Sequence, residues 1–268
     1  MKNNKISDGD PGRLDREREF HNQRYSYDEL RSHSVDRFYE VAEPFVARYV
    51  ERVLHRAGRG KLLEYGVGTG SYAFALAEQG ALVTGIDISE TAVAIAKREA
   101  IKRGLRIDFQ VMNAEETSFE DKSFDVVCGT GILHHLNVRK AILEIRRLLR
   151  PGGVALFVEP LGHNVLINHF RRRTPLMRSA DEHPLLKDDL RLIGSHFGKC
   201  RTEYFGLVSL GSAFAGPLRR NLGLRRFLAA IDKVVLSIPL LRLQAWMVMI
   251  ELENSNAVAN SAKEGIQG

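Results

Sequence analysis

Leu62-Leu63-Glu64-Tyr65-Gly66-Val67-Gly68-Thr69-Gly70 places three glycines at alternate positions directly behind a short apolar run. Such a run reads as a buried strand, and glycines behind it let the backbone turn tightly and approach a ligand with no Cβ in the way. Tyr72 to Gln79 then takes up helical spacing, so the loop joins a strand to a helix, the context that gives a glycine loop its meaning as a nucleotide-type site.

Outward from this loop the same rhythm repeats. Lys61 to Tyr65, Leu82 to Ile86, Ile107 to Val111, Phe124 to Cys128 and Val154 to Glu159 read as strands; Glu90 to Arg103 and Arg139 to Leu149 read as further helices between them. Two later strands are expected around Cys200 to Leu210 and over Gln244 to Glu253. Strands alternating with helices imply right-handed crossovers and a sheet covered on both faces. The expected fold class is therefore α/β: a Rossmann-like, doubly wound, mostly parallel seven-stranded sheet with helical cap insertions.

The acid that completes the loop is Asp87, at the end of the second strand and roughly 20 residues beyond Gly66. A carboxylate there can accept hydrogen bonds from both ribose hydroxyls, so loop and acid together point to an adenosine-containing ligand. Two details disfavour a dinucleotide. The dinucleotide fingerprint wants its third Gly or Ala where this chain has Ser71. Glu64 also puts a carboxylate beside the loop, where it would oppose a pyrophosphate but suit an ammonium group.

Beyond the third strand comes Met112-Asn113-Ala114-Glu115-Glu116-Thr117-Ser118-Phe119, and Leu148-Leu149-Arg150-Pro151-Gly152-Gly153 precedes the fifth. With these motifs the stretch from Lys61 to Glu159 resembles the class I S-adenosylmethionine-dependent methyltransferases. The resemblance implies that Glu64, Gly66, Gly68 and Gly70 hold the methionine end of the cofactor, Asp87 with Ile88 the ribose, and Asn113 with Ala114 the adenine. Asn113 stands where the family commonly has Asp; its amide oxygen can still accept a hydrogen bond.

An acceptor is expected beyond the carboxyl ends of the strands, at the switch in strand order. Gly129-Thr130-Gly131-Ile132-Leu133-His134-His135-Leu136 follows the fourth strand, and His134 or His135 could serve as a general base or could pack and cap the next helix. His183, beside Asp181 and Glu182, is a third candidate base, against a reading in which the Asp-Glu-His-Pro run makes a helix N-terminal turn. No metal set is assigned: His163, Glu159 and Asp181 lack a diagnostic spacing. The supply of histidines favours an oxygen acceptor, since a hydroxyl needs its proton removed.

The remaining segments frame this unit. Residues 1–19 are polar and read as a disordered tail, residues 20–253 as a single domain, and 254–268 as a second disordered tail. Within the domain, 20–58 is a helical N-terminal cap, and 160–186 and 211–241 are insertions on the substrate side. Pro217 to Leu228 carries four arginines beside an apolar face, which suits peripheral contact with a membrane or lipid as well as a packed helix with solvated arginines. At 268 residues, a net charge of +6 and two cysteines, the chain fits one reduced, cytoplasmic α/β domain without a disulfide framework or zinc spacing. A small-molecule acceptor is expected, because no RNA-binding module or aromatic-basic platform accompanies the fold. RNA methylation, nicotinamide-dependent oxidoreduction and a non-catalytic cofactor-binding regulator are the competing readings.

Overall fold

The computed structural model describes residues 10, 12–26, 36–70, 72–174, 178–214 and 216–254, without the side chains of 36–39, 214 and 219. Helices α1 (Arg13–Ser26) and α2 (Asp36–Ala57) lead into β1 (Lys61–Tyr65), α3 (Ala73–Glu78), β2 (Leu82–Asp87), α4 (Glu90–Lys102), β3 (Asp108–Val111), β4 (Phe124–Thr130), α5 (Val138–Leu148) and β5 (Leu149–Pro160). There follow α6 (Val165–Arg173), α7 (Lys187–Ser195), β6 (Lys199–Phe205), α8 (Leu222–Val235), α9 (Pro239–Arg242) and β7 (Met247–Glu253). Short 3-10 turns occupy Leu133–His135, Ser209–Phe214 and Gly216–Arg220.

The seven strands lie in the order β3-β2-β1-β4-β5-β7-β6. β1 pairs in parallel with both β2 and β4, so the strand order reverses at β1/β4, and the loops leaving these two strands diverge to open a crevice. β7 runs antiparallel between β5 and β6, which makes the sheet mostly parallel.

Both faces are buried, and the strands show this residue by residue. Along β5, Val154, Leu156 and Val158 join one core with Phe45, Tyr49 and Val53 of α2, while Ala155 and Phe157 join the other with Ile142, Ile145 and Leu148 of α5. That alternation follows from the two-residue period of a strand, and each fully buried aliphatic or aromatic side chain contributes about 1.5–3 kcal/mol. The crossover helices are cut to fit. Ser89 and Asn137 cap α4 and α5 by accepting the backbone N–H groups of Ala92 and Lys140, and the residues buried behind Asn137 (Val138, Ala141, Ile142, Ile145, Leu148) keep helical spacing.

Four boundaries differ from expectation. The polar stretch expected as a tail to residue 19 is helical from Arg13, because its inward positions are charged groups with partners rather than apolar ones; residues 1–9 and 11 lie outside the described residues. β5 begins at Leu149 instead of Val154. The 160–186 insertion holds α6, whose start is capped by Asn164, and the Asp181–Pro184 run lies ahead of α7 instead of opening it. β6 ends at Phe205, since Asp232 of α8 gathers the backbone N–H groups of Gly206, Leu207, Val208 and Ser209 and turns the chain away. Asn254 is anchored to Gly153 and Leu149, and residues 255–268 lie outside the described residues.

Candidate active site

The glycine loop is shaped by strand ends on either side. The N–H groups of Gly66 and Val67 both donate to the carbonyl of Ile86, at 2.8 and 3.1 Å, so the chain leaves β1 hooked over the end of β2. Gly66 and Gly68 take φ of +65° and +52°. A Cβ on Gly66 would lie 2.8 Å from Ile132 Cδ1, and one on Gly68 2.7 Å from Tyr25 Oη. Asp87, buried at the end of β2, accepts from Gly68 N at 2.8 Å through one oxygen and from Ser89 N at 2.9 Å through the other.

A cavity of about 930 Å³ opens at this point. Gly66, Gly68, Asp87, Ile88, Asn113 and Ala114 line it together with His134 and His135. Three of the expected site residues stand back from it. Glu64 is buried behind the loop, where Oε1 accepts from Tyr72 N at 3.3 Å at the start of α3. Gly70 faces Phe74, whose ring would lie 2.0 Å from an added Cβ. His183 donates its backbone N–H to the carbonyl of His134 at 2.8 Å and so braces that residue from behind. Ser71 lies outside the described residues.

His134 and His135 sit in the 3-10 turn after β4, and Glu159 at the end of β5 organises that turn. Its fully buried carboxylate accepts from the N–H groups of Ile132 and Leu133 at 2.9 Å each and lies 2.9 Å from His134 Nδ1. Burial pushes the Glu159 carboxyl up to about 7, against the opposing pull of the backbone donors, and burial with the Arg171 charge takes His134 down to about 3. The backbone donors favour the carboxylate, so Nδ1–H donates to it and His134 is a neutral imidazole with Nε2 as its acceptor atom.

A further part of the wall comes from α1, whose first half the sequence reading places in a tail and whose second half it places in the helical N-terminal cap. Arg13, Glu17, His21 and Tyr25 recur at a four-residue interval and line the cavity from one helix face. Arg13 donates to the carbonyl of His135 at 2.9 Å and forms a buried ion pair with Glu115. His135 Nδ1 lies 3.1 Å from Glu17 Oε2, and Ser179 donates to the other Glu17 oxygen. Burial alone would raise the Glu17 carboxyl, but the His135 and His21 imidazoles outweigh it and hold it far below the usual carboxylate range. At the far end of the helix, Asn22 Oδ1 accepts from Ser89 Oγ at 2.6 Å, which clips α1 to the N-terminus of α4. The stripe of hydrogen-bonding side chains at four-residue spacing is the signal that identifies these residues in the sequence.

The carboxylates around His183 are committed elsewhere: Asp181 pairs with Arg16 at 2.8 Å and Glu182 with Arg178 at 3.0 Å. His163 accepts from Lys187 N at 3.0 Å, and it does not join Glu159 and Asp181 in a ligand cluster among the described residues.

Comparison with known proteins agrees with this geometry. Residues 63–157 match a family model described as a methyltransferase domain. The chain is 33% identical over 125 residues to the ubiquinone biosynthesis O-methyltransferase of Pasteurella multocida, covering 42% of this chain and 52% of that protein. It is 34% identical over 134 residues to the demethylmenaquinone methyltransferase of Chlorobaculum tepidum, covering 49% and 52%. The chain thus spans about half the length of the curated relatives it matches. Among solved structures, phosphoethanolamine N-methyltransferase 2 of Haemonchus contortus, in complex with phosphomonomethylethanolamine and S-adenosylhomocysteine, superposes with a TM-score of 0.58 at 20% identity, covering 89% of this chain and 60% of that one. A putative sarcosine dimethylglycine methyltransferase from Galdieria sulphuraria gives 0.58 at 17% identity, covering 80% and 87%. With the glycine loop, the acid after β2 and the reversal of strand order in place, residues 63–157 are a methyltransferase domain.

Proposed function

We propose that this chain is an enzyme that methylates a hydroxyl oxygen of a small lipid-like or aromatic acceptor, with S-adenosylmethionine as donor. The observation that carries this reading is that one cavity is lined by Asp87 and Asn113 and also by His134 and His135. The residues present fit the cofactor: Gly66 and Gly68 keep a cradle that a Cβ would fill, and Asp87 offers a buried carboxylate at its rim. In this reading Gly66 and Gly68 face the amino-acid end, Asp87 and Ile88 the ribose, and Asn113 and Ala114 the adenine. Glu64 and Gly70 shape the loop from behind. When bound, the cofactor supplies a methyl carbon already activated by a positive sulfur, so the protein's task is alignment and exclusion of water.

His134 is proposed to take the hydroxyl proton, being neutral and oriented by Glu159, with His135 beside it and His183 bracing its backbone. Phe20, Ile132, Ile167 and Phe170 line the same cavity and suit a planar or aliphatic acceptor body. The likeness to a ubiquinone biosynthesis O-methyltransferase and a demethylmenaquinone methyltransferase supports an acceptor of that kind.

Contact with a lipid surface is proposed for 217–228. Leu218, Leu222 and Phe227 are exposed there, while Arg225 turns inward to the carbonyl of Glu40 and the carboxylate of Glu43. No helix among the described residues is long and apolar enough to cross a membrane. The test is transfer of labelled methyl from S-adenosylmethionine into separate pools of phenolic lipids, polar metabolites and RNA. Label in the phenolic pool as an alkali-stable ether supports the reading, and label in RNA alone overturns it.

A further inference from the structure

Glu17 of α1 lines the cavity against His135. Glu17 is 4% exposed, and its Oε2 receives no hydrogen bond from any described residue. A buried carboxylate oxygen without a partner is costly, roughly 1–3 kcal/mol or more for a charged group, and calls for an explanation. Two ring nitrogens nevertheless crowd it: His135 Nδ1 at 3.1 Å and His21 Nε2 at 3.4 Å, neither aligned to donate to it. All three residues line the cavity.

Two imidazole nitrogens and one carboxylate oxygen converging from three points are the ligand set of a first-row divalent metal with open positions. Glu17 and His21 stand one turn apart on the same face of α1, the spacing that lets one helix present two ligands to one ion. The surroundings fix the ligands. Ser179 holds the second Glu17 oxygen, and Arg13 grips the carbonyl of His135, the outer-layer support on which metal ligands commonly depend. Glu182 approaches the other ring nitrogen of His135, at 3.9 Å, and so stands outside the set.

We propose that Glu17, His21 and His135 bind one divalent transition-metal ion on the acceptor side of the cavity. Its role there rests on the reading of the chain as a hydroxyl methyltransferase: an open coordination position would take the acceptor oxygen, make its proton easier to remove, and leave His134 to receive that proton. Binding of the ion itself does not depend on that reading.

The test uses the full chain, stripped with a chelator and titrated with Co²⁺ while visible absorption is followed, then with Zn²⁺ by calorimetry. One saturable equivalent, with cobalt bands of a nitrogen-oxygen site, is expected. Glu17→Gln and His21→Gln should each weaken binding by at least about tenfold, since even outer-layer losses at metal sites cost about ten- to hundredfold. Glu182→Gln should titrate like the unmodified chain. S-adenosylmethionine binding reports folding in every variant; if Glu17→Gln loses it, His21→Gln carries the comparison. A stripped protein that binds S-adenosylmethionine but no cobalt overturns the proposal, as does unchanged binding in the variants that fold. A chain that methylates its acceptor equally well when stripped and when loaded overturns the metal's role alone, and one that binds the ion but methylates nothing overturns the hydroxyl-transfer reading alone.

Discussion

The carboxylate of Asp87 accepts the backbone N–H of Gly68 at 2.8 Å, so the acid at the end of β2 also sets the shape of the glycine loop after β1. Asp87→Ala therefore removes a ligand contact and a loop anchor together. Calorimetric titration should show S-adenosylmethionine binding weakened at least about tenfold, and unfolding should show a loss of about 1–3 kcal/mol from the stranded N–H groups of Gly68 and Ser89. Unchanged affinity would refute the ribose assignment.

Gly70 and Gly80 both have positive φ, +120° and +88°, but a Cβ on Gly70 would lie 2.0 Å from the Phe74 ring while one on Gly80 meets nothing within 4 Å. Gly80→Ala should cost about 1 kcal/mol, from backbone strain alone. Gly70→Ala adds overpacking of a buried ring and should lose about 2–4 kcal/mol in denaturant unfolding. Equal losses in the two would mean that Phe74 moves aside freely.

Glu159→Gln keeps one acceptor oxygen but loses the charge that gathers Ile132 N, Leu133 N and His134 Nδ1. The 3-10 turn should loosen and His134 lose its fixed tautomer. Steady-state assays are expected to show kcat down by about 10²-fold, within the range for general-base catalysis, with cofactor affinity nearly unchanged. A parallel loss of cofactor affinity would show that Glu159 supports the whole crevice.

Glu144 anchors Arg147 at 2.7 Å and accepts from Thr117. Burial pulls its carboxyl up, but Arg147 and Thr117 outweigh burial and leave it below the ordinary 4.5. A carboxyl lowered by folding stabilises the fold above its unfolded value, and that contribution fades as pH falls below about 4.5 towards the folded value. The urea midpoint of the unmodified chain should fall faster across this window than that of Glu144→Gln. Parallel curves for the two would remove Glu144 from the acid response.

How much of this could be read from residues alone differs between the glycine loop and the histidine side of the cavity. The loop and its strands were legible because their signals are local: Gly66 and Gly68 need special backbone angles, and Leu62, Leu63, Val126 and Val127 alternate between two buried faces. Asn113 stood at the expected strand end despite replacing the usual acid. The surroundings of His134 and His135 are assembled from Glu17, Glu159 and Ser179, which reach them only through tertiary contact. α1 was hidden for a further reason: its inward positions, Arg13 and Glu17, are charged, so a search for apolar periodicity reads the helix as solvent-exposed. Glu64 is read by position as a cofactor ligand, and in the fold its carboxylate accepts from the backbone of Tyr72, a contact that position alone does not reveal.

The family match runs from 63 to 157, whereas α1, Ser179 and α6 lie on either side of it. Inside that match lie the glycine loop, Asp87, His134 and His135; outside it lie Glu17, His21 and Ser179, which face His135. Under the proposed function, moving Arg13–Ser26 together with the insertion after β5 onto a relative's sheet should change which acceptor is methylated, and an unchanged acceptor would place the preference within the sheet and its own loops.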